Sequence, residues 1–337
     1  MRPSAELHAL PPMQWLVRGV LPSEGLAAIY GESGSGKTFL ALDLCAAVAD
    51  GAEWFGYRVQ AAPVVYVALE GEHGLSQRVR AWEIRNHRSF PNRARFVLRA
   101  SFDLRHADDV EALAEGIRDL GLAGGLVVID TLNRAAPGAD ENSSAEMGKI
   151  IEATKRLRDD LGGIVLLVHH SGKDADRGMR GHSSLYAALD AVIAVSRKGG
   201  REWRIAKAKD GEDGKEHPFE LRTVKLGTDD EGEPVTSCIV APTEAAPHIE
   251  RPKVPKGGNQ RIVYDALREM LRNSTEKGMA GAPTHVQCIR IDAAIDGASK
   301  KLLEIEEKRK RDRTKRAIEQ MVSKKILACS DGWIWIP

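Results

Sequence analysis

From residue 26 to about residue 196, short apolar runs alternate with stretches in which apolar positions return every three or four residues. Residues 26–30, 64–69, 96–98, 126–129, 164–168 and 192–195 read as strands. Between them lie helical periods: Phe39, Leu40, Leu44 and Val48 up to a stop at Gly51, then residues 75–88, 107–120 and 144–161. This order predicts an α/β fold with a mainly parallel central sheet. Runs 126–129 and 164–168 are apolar at every position, the pattern of strands covered by helices on both faces. Beyond residue 196 the β-rich runs 203–209, 219–225 and 237–240 are split by Gly-Asp turns and predict an antiparallel extension of the same sheet.

The pattern then breaks. Pro242, Pro247, Pro252, Pro255, Gly257 and Gly258 interrupt residues 241–260, which predicts a linker between a first domain over 1–240 and a second over 261–337. In the second, Ile262, Leu267, Met270 and Leu271 predict one helix and residues 314–327 another. Residues 326–329 and 333–336 predict a hairpin turning at Ser330, Asp331 and Gly332. Helices followed by a small hairpin predict a winged-helix-like domain.

Composition adds little to the first domain and more to the second. The 337 residues are 42% hydrophobic, ample for a core, and carry a net charge of +1. Residues 260–337 hold sixteen Lys and Arg against eleven Asp and Glu, and seven of the nine positions from Lys308 to Arg316 are cationic. Such a run suits nucleic acid; a solvated helix balanced by Glu304, Glu306 and Glu307 is the competing reading. Cys45, Cys238, Cys288 and Cys329 form no C-x-x-C pair, which argues against a zinc ribbon or a disulfide framework. No apolar run reaches the length of a membrane span and none follows Met1 as a signal region, so a cytoplasmic protein is expected.

The candidate chemistry lies at the ends of the strands. Gly31, Glu32, Ser33, Gly34, Ser35, Gly36, Lys37 and Thr38 form a full G-x-x-x-x-G-K-T phosphate loop between an apolar strand and an apolar helix. Its glycines allow backbone N–H groups to turn onto phosphate oxygens, Lys37 reaches the terminal phosphates of ATP, and Thr38 can hold Mg²⁺. Asp130, closing the run 126–129, is the second metal-orienting group. Thr131 follows it, so the general base must come from another strand. Glu70, after residues 64–69, is the first candidate and Glu72 the second. A third strand ends in His169 and His170. Adjacent strand residues face opposite ways and suit one metal ion poorly, whereas His170 can sense the terminal phosphate or the attacking water.

A phosphate loop, a Glu at the end of the next strand, Asp130 without an adjacent Glu, and a polar sensor at the fourth strand make residues 20–210 resemble the RecA-like ATPases. Within these the His-His sensor and Leu69-Glu70-Gly71 look most like the plasmid RepA helicase family and related AAA-family ATPases of phage and mobile elements, with DnaB-type helicases more distant. Residues 179–184 and 190–193 are similar to the segment after the sensor, and residues 206–211 to the finger strand. The resemblance implies a homo-oligomer, a hexameric ring with nucleotide sites at subunit boundaries, where Lys207 and Lys209 act on the neighbour's ATP. DnaB-type helicases carry Arg at the second of these positions. It also implies single-stranded DNA in a central channel, contacted by Lys173, Arg177 and Arg180, and coupling of Mg²⁺-dependent ATP hydrolysis to translocation or unwinding in replication or recombination. An ATP-switched DNA-binding regulator or a non-motor scaffold remains the alternative. The winged helix is open to duplex DNA or a protein partner, replication proteins included.

Overall fold

The computed structural model describes residues 13–69, 71–98, 101–171, 179, 182–243, 255, 257–284, 286–303, 305–323 and 326–336. It divides the chain into two units, Met1–Ala245 and Ala246–Pro337. In the first, a small antiparallel pair, β1 (Trp15–Val17) and β2 (Leu21–Pro22), precedes the alternating elements. These are β3 (Gly25–Gly31), α1 (Lys37–Asp50), β4 (Val64–Ala68), α2 (Glu72–Asn86), β5 (Ala94–Leu98), α3 (Ala107–Asp119), β6 (Leu126–Asp130), α4 (Ser144–Leu161), β7 (Ile164–His170), α5 (Ser183–Ala188) and β8 (Ala191–Ser196). Three longer strands follow, β9 (Arg201–Ala208), β10 (Glu216–Thr228) and β11 (Pro234–Pro242).

One nine-stranded sheet takes them all, in the order β11-β10-β9-β8-β3-β7-β6-β4-β5. Every pairing from β5 to β8 is parallel, and β9, β10 and β11 continue it antiparallel, as the sequence predicts. On one face Ala27, Ile29, Tyr66, Val128 and Leu166 pack with Leu40, Leu44 and Val48 of α1. On the other, Ala28, Val65, Val127, Ile129 and Leu167 meet Leu113 of α3 and Ile150 of α4. Each of these large side chains contributes roughly 1.5–3 kcal/mol by leaving water. Two-sided burial is why these strands carry no polar alternation. Ser143 accepts a hydrogen bond from the Glu146 backbone at the start of α4, and Gly162 ends it. In the antiparallel half, Trp203 is fully buried and stacked between Trp54 (4.6 Å) and His217 (4.1 Å), which ties β9 and β10 to the turn after α1.

The second unit runs α6 (Gly258–Arg272), a 3₁₀ turn at Met279–Gly281, β12 (Ile289–Arg290), α7 (Ile291–Ser299), α8 (Glu307–Ser323), β13 (Ala328–Ser330) and β14 (Trp333–Trp335). Its strands form an antiparallel sheet in the order β12-β14-β13. Val263, Leu267, Ala294, Ile295, Ile318, Met321 and Ile334 make its core. The hairpin turns at Asp331 and Gly332, both with positive φ (46° and 76°), the geometry of a two-residue turn. α8, Glu307–Ser323, begins earlier than the expected helix because the cationic run itself is helical. β11 reaches Pro242 and α6 starts at Gly258, so regular structure enters the expected linker from both sides.

Candidate nucleotide site

The phosphate loop occupies the turn from the end of β3 to the start of α1. Gly34 and Gly36 take positive φ (73° and 106°), which lets the chain fold back onto the first turn of α1. Gly31 is required for another reason: a Cβ there would lie 2.2 Å from the Val195 carbonyl oxygen of β8. The Ser35 hydroxyl is fully buried and has no hydrogen-bond partner among the described residues. A buried donor left over in a glycine-built cradle fits the oxygens of a triphosphate.

Lys37 is only 6% exposed. Its Nζ donates to the Gly31 carbonyl at 3.0 Å and the Glu32 carbonyl at 2.9 Å, which folds the side chain back over the loop. Burial lowers its pKa, and the carboxylates of Asp130 and Glu32 oppose that shift. Asp130 therefore lies within electrostatic reach of the lysine. It ends β6 at 6% exposure, and the Tyr66 hydroxyl of β4 donates to its Oδ2 at 2.5 Å. That buried phenol stays protonated, since burial and the adjacent carboxylate both push its pKa well up. The Asp130–Thr131 peptide is cis. Thr38, half-buried, stands in the first turn of α1. Thr38 and Asp130 are the oxygen donors here suited to Mg²⁺.

One strand separates the phosphate loop from Asp130. β7 lies between β3 and β6, pairing Val168 with Asp130 on one side and His170 with Gly31 on the other. Ser171 N–H donates to the Gly31 carbonyl at 3.0 Å. With its period of two, β7 turns His170 to the α1 face that carries Val168, while His169 is fully buried on the opposite side. His170 thus stands in register with the first residue of the phosphate loop.

The other expected residues are distributed differently. Glu70, Lys173, Arg177 and Arg180 lie outside the described residues. β4 leads toward the site, for Ala68 pairs with Asp130 and Leu69 N–H donates to the Asp130 carbonyl at 2.9 Å. Glu72 is exposed at the start of α2, after a left-handed Gly71. Ser171 and Met179 form an isolated antiparallel bridge. Lys207 donates to the carbonyls of Tyr186 (2.9 Å) and Ala187 (3.2 Å), at the end of α5. Lys209 pairs with Asp190 at 3.3 Å, and the other oxygen of that carboxylate accepts from Leu26 N–H. Leu26 lies at the start of β3 and the phosphate loop at its end, so neither lysine is brought to the phosphate loop of its own chain.

Two residues near the loop carry no signature in the sequence. Tyr66 lies within an apolar strand and reads as core. Arg197 follows β8, which runs beside β3, and its backbone N–H donates to Glu32 Oε1 at 3.2 Å. A polar residue just past a parallel strand is the available signal, and only the strand order makes it specific.

No curated protein matches the chain. Among solved structures it is similar to a KaiC-like protein of the hyperthermophilic archaeon Pyrococcus horikoshii OT3, at 17% identity and a TM-score of 0.41 over 66% of this chain and 93% of that one. It is also similar to the RadB recombinase, at 20% identity and a TM-score of 0.44 over 59% and 88% of the two chains. No described helix is long and apolar enough to cross a membrane. The phosphate loop, Asp130 and His170 all fall within residues 2–176, the segment matched by the family model of an AAA domain, and with more than half of its length so matched the chain belongs to the AAA domain family, as a P-loop ATPase.

Proposed function

We propose that the chain is a RecA-like ATPase of the RepA type, which assembles as a hexameric ring and couples Mg²⁺-dependent ATP hydrolysis to translocation on, or unwinding around, single-stranded DNA. The host process is replication or recombination of a plasmid, phage or other mobile element. The observation that carries the reading is the convergence of buried Lys37 and Asp130 on one face of the sheet, with His170 in register between them.

The loop N–H groups and Ser35 receive the phosphates, and Lys37 exchanges the Gly31 and Glu32 carbonyls for phosphate oxygens. Thr38 and Asp130 would hold Mg²⁺, which when bound would neutralise charge on the phosphates. Tyr66 fixes the Asp130 carboxylate, Glu70 orients the attacking water, and His170 reports the state of the terminal phosphate. In the ring, Lys207 and Lys209 leave the carbonyls of α5 and the Asp190 carboxylate for the neighbour's nucleotide. Lys173, Arg177 and Arg180 track the DNA backbone by charge alone. The second unit, with its helix–strand–helix–helix–hairpin order, is a winged helix that binds duplex DNA or a protein partner.

The in-chain partners of Lys207 and Lys209 favour a second reading, in which those lysines stay where they are and ATP only switches assembly. Turnover measured with increasing single-stranded oligonucleotide separates the two. A rate that rises with DNA supports the motor; a flat rate, with DNA still bound, supports the switch.

A further inference from the structure

An acid inside an anion-binding loop is an electrostatic misfit, and Glu32 is one. Its carboxylate adds negative charge next to the place where a triphosphate must sit. The structure shows where that charge goes. Glu32 Oε1 is turned toward the carboxyl end of β8, where it accepts the Arg197 backbone N–H at 3.2 Å and lies 3.5 Å from Arg197 Nε. The Glu32 backbone stays in the loop, its carbonyl accepting from Lys37 Nζ and from Ser35 N–H. One residue therefore belongs to the loop by its main chain and to the rim by its side chain.

Arg197 also spans the crown of the loop. A Cβ built on Gly34 would lie 3.0 Å from Arg197 Nη1, so the guanidinium covers the left-handed glycine while its Nε faces Glu32. Besides Glu32, Asp130 places a second carboxylate near Lys37. An Arg paired with Glu32 offsets one of the two negative charges that an incoming triphosphate would meet.

We propose that Arg197 is a positioning residue for the nucleotide: it holds the Glu32 carboxylate out on the rim and cancels its charge, so that the phosphate loop presents a net positive cradle. This rests on the ATPase reading and extends it to a residue outside the loop. The effect is electrostatic, so it grows with the number of phosphates on the ligand.

The test is equilibrium binding of ATP, ADP and adenosine to the full chain and to four variants, with folding checked by thermal melting. Arg197→Ala weakens ATP by about five- to tenfold, ADP by less and adenosine little. Glu32→Gln, which removes the acid and leaves the arginine, tightens ATP by about two- to threefold. Arg197→Ala combined with Glu32→Gln returns ATP affinity to within about twofold of the wild type, and Arg197→Lys keeps it within about threefold. Unchanged ATP affinity in Arg197→Ala overturns the proposal, and so does a double variant as weak as Arg197→Ala alone, since Arg197 would then act without Glu32. Should Arg197→Ala fail to fold, Glu32→Gln and Arg197→Lys still decide: weaker ATP binding in the first overturns it. Wild-type protein that binds no ATP refutes the ATPase reading itself, a different outcome from any of these.

Discussion

Two charged regions of the molecule, the phosphate loop and helix α8, hold their charges in opposite ways. At the loop Lys37 and Asp130 are each 6% exposed, and their polar atoms are held by main-chain carbonyls and by a buried tyrosine. On α8 most cations face solvent and are answered locally: Lys308 and Arg309 by Glu306, the largely covered Lys310 by Glu307 at 2.7 Å, and Arg311 by Asp296 of α7 at 2.6 Å. Exposed pairs of this kind contribute about 0–1 kcal/mol each. The seven cations between Lys308 and Arg316 thus shrink to three, Arg313, Lys315 and Arg316, that make no ion pair among the described residues. Charge density in a sequence says little until burial and partners are known.

The comparison is broken most forcefully at the loop. Lys37→Ala is expected to lower ATP turnover by about 10²–10³-fold or more, because it removes the buried cation proposed to meet the phosphates, while the loss of two hydrogen bonds to carbonyls leaves the fold intact by melting. A variant that keeps its turnover would move the site elsewhere. Glu70→Gln separates binding from chemistry: ATP affinity stays within about threefold and turnover falls by about 10²–10⁴-fold. Wild-type turnover in that variant would shift the base to Glu72, whose exposed place at the start of α2 makes it the weaker candidate.

How much of this was legible beforehand follows from how local each feature is. The phosphate loop is contained in eight consecutive residues, and the parallel strands declare themselves because helices bury both of their faces. α5 has six residues and β2 two, too short for any period to show. α7 is built from small residues around a single buried Ile295, and its first residue directly continues β12, so no loop marks the boundary. Arg197 and Glu32 are 165 positions apart, and Tyr66 and Asp130 are 64 apart. Each pair meets only because of strand order, β8 beside β3 and β4 beside β6, which no local pattern encodes. The lysines illustrate the converse. Lys207 and Lys209 stand two positions apart, a spacing that gives two residues of one strand a shared face, but Lys209 lies beyond the end of β9, and each finds its own partner.

A smaller effect sharpens the contrast within the second unit. Ile318 is 2% exposed in the core that α8 shares with α6 and α7, whereas Arg311 on the same helix is exposed. Ile318→Ala is expected to cost about 2–4 kcal/mol in denaturant unfolding of that unit. Arg311→Ala costs under about 1 kcal/mol in the same measurement. Equal costs would mean that α8 is held by its charges and not by its apolar stripe.

The smallest expected change concerns what the remaining cations of α8 do. If the helix meets a polyanion, each unpaired cation that docks on a phosphate releases a counterion, and the slope of log affinity against log salt records the number released. Arg316→Ala should lower the magnitude of that slope for a duplex oligonucleotide by about 0.9, with little dependence on its sequence. Arg311→Ala should lower it by clearly less, since Arg311 must give up Asp296 to reach a phosphate and gains one anion by losing another. Equal slopes for the two variants would show that the local acids do not hold α8's cations back, and the distinction between paired and unpaired charge on this helix would fall.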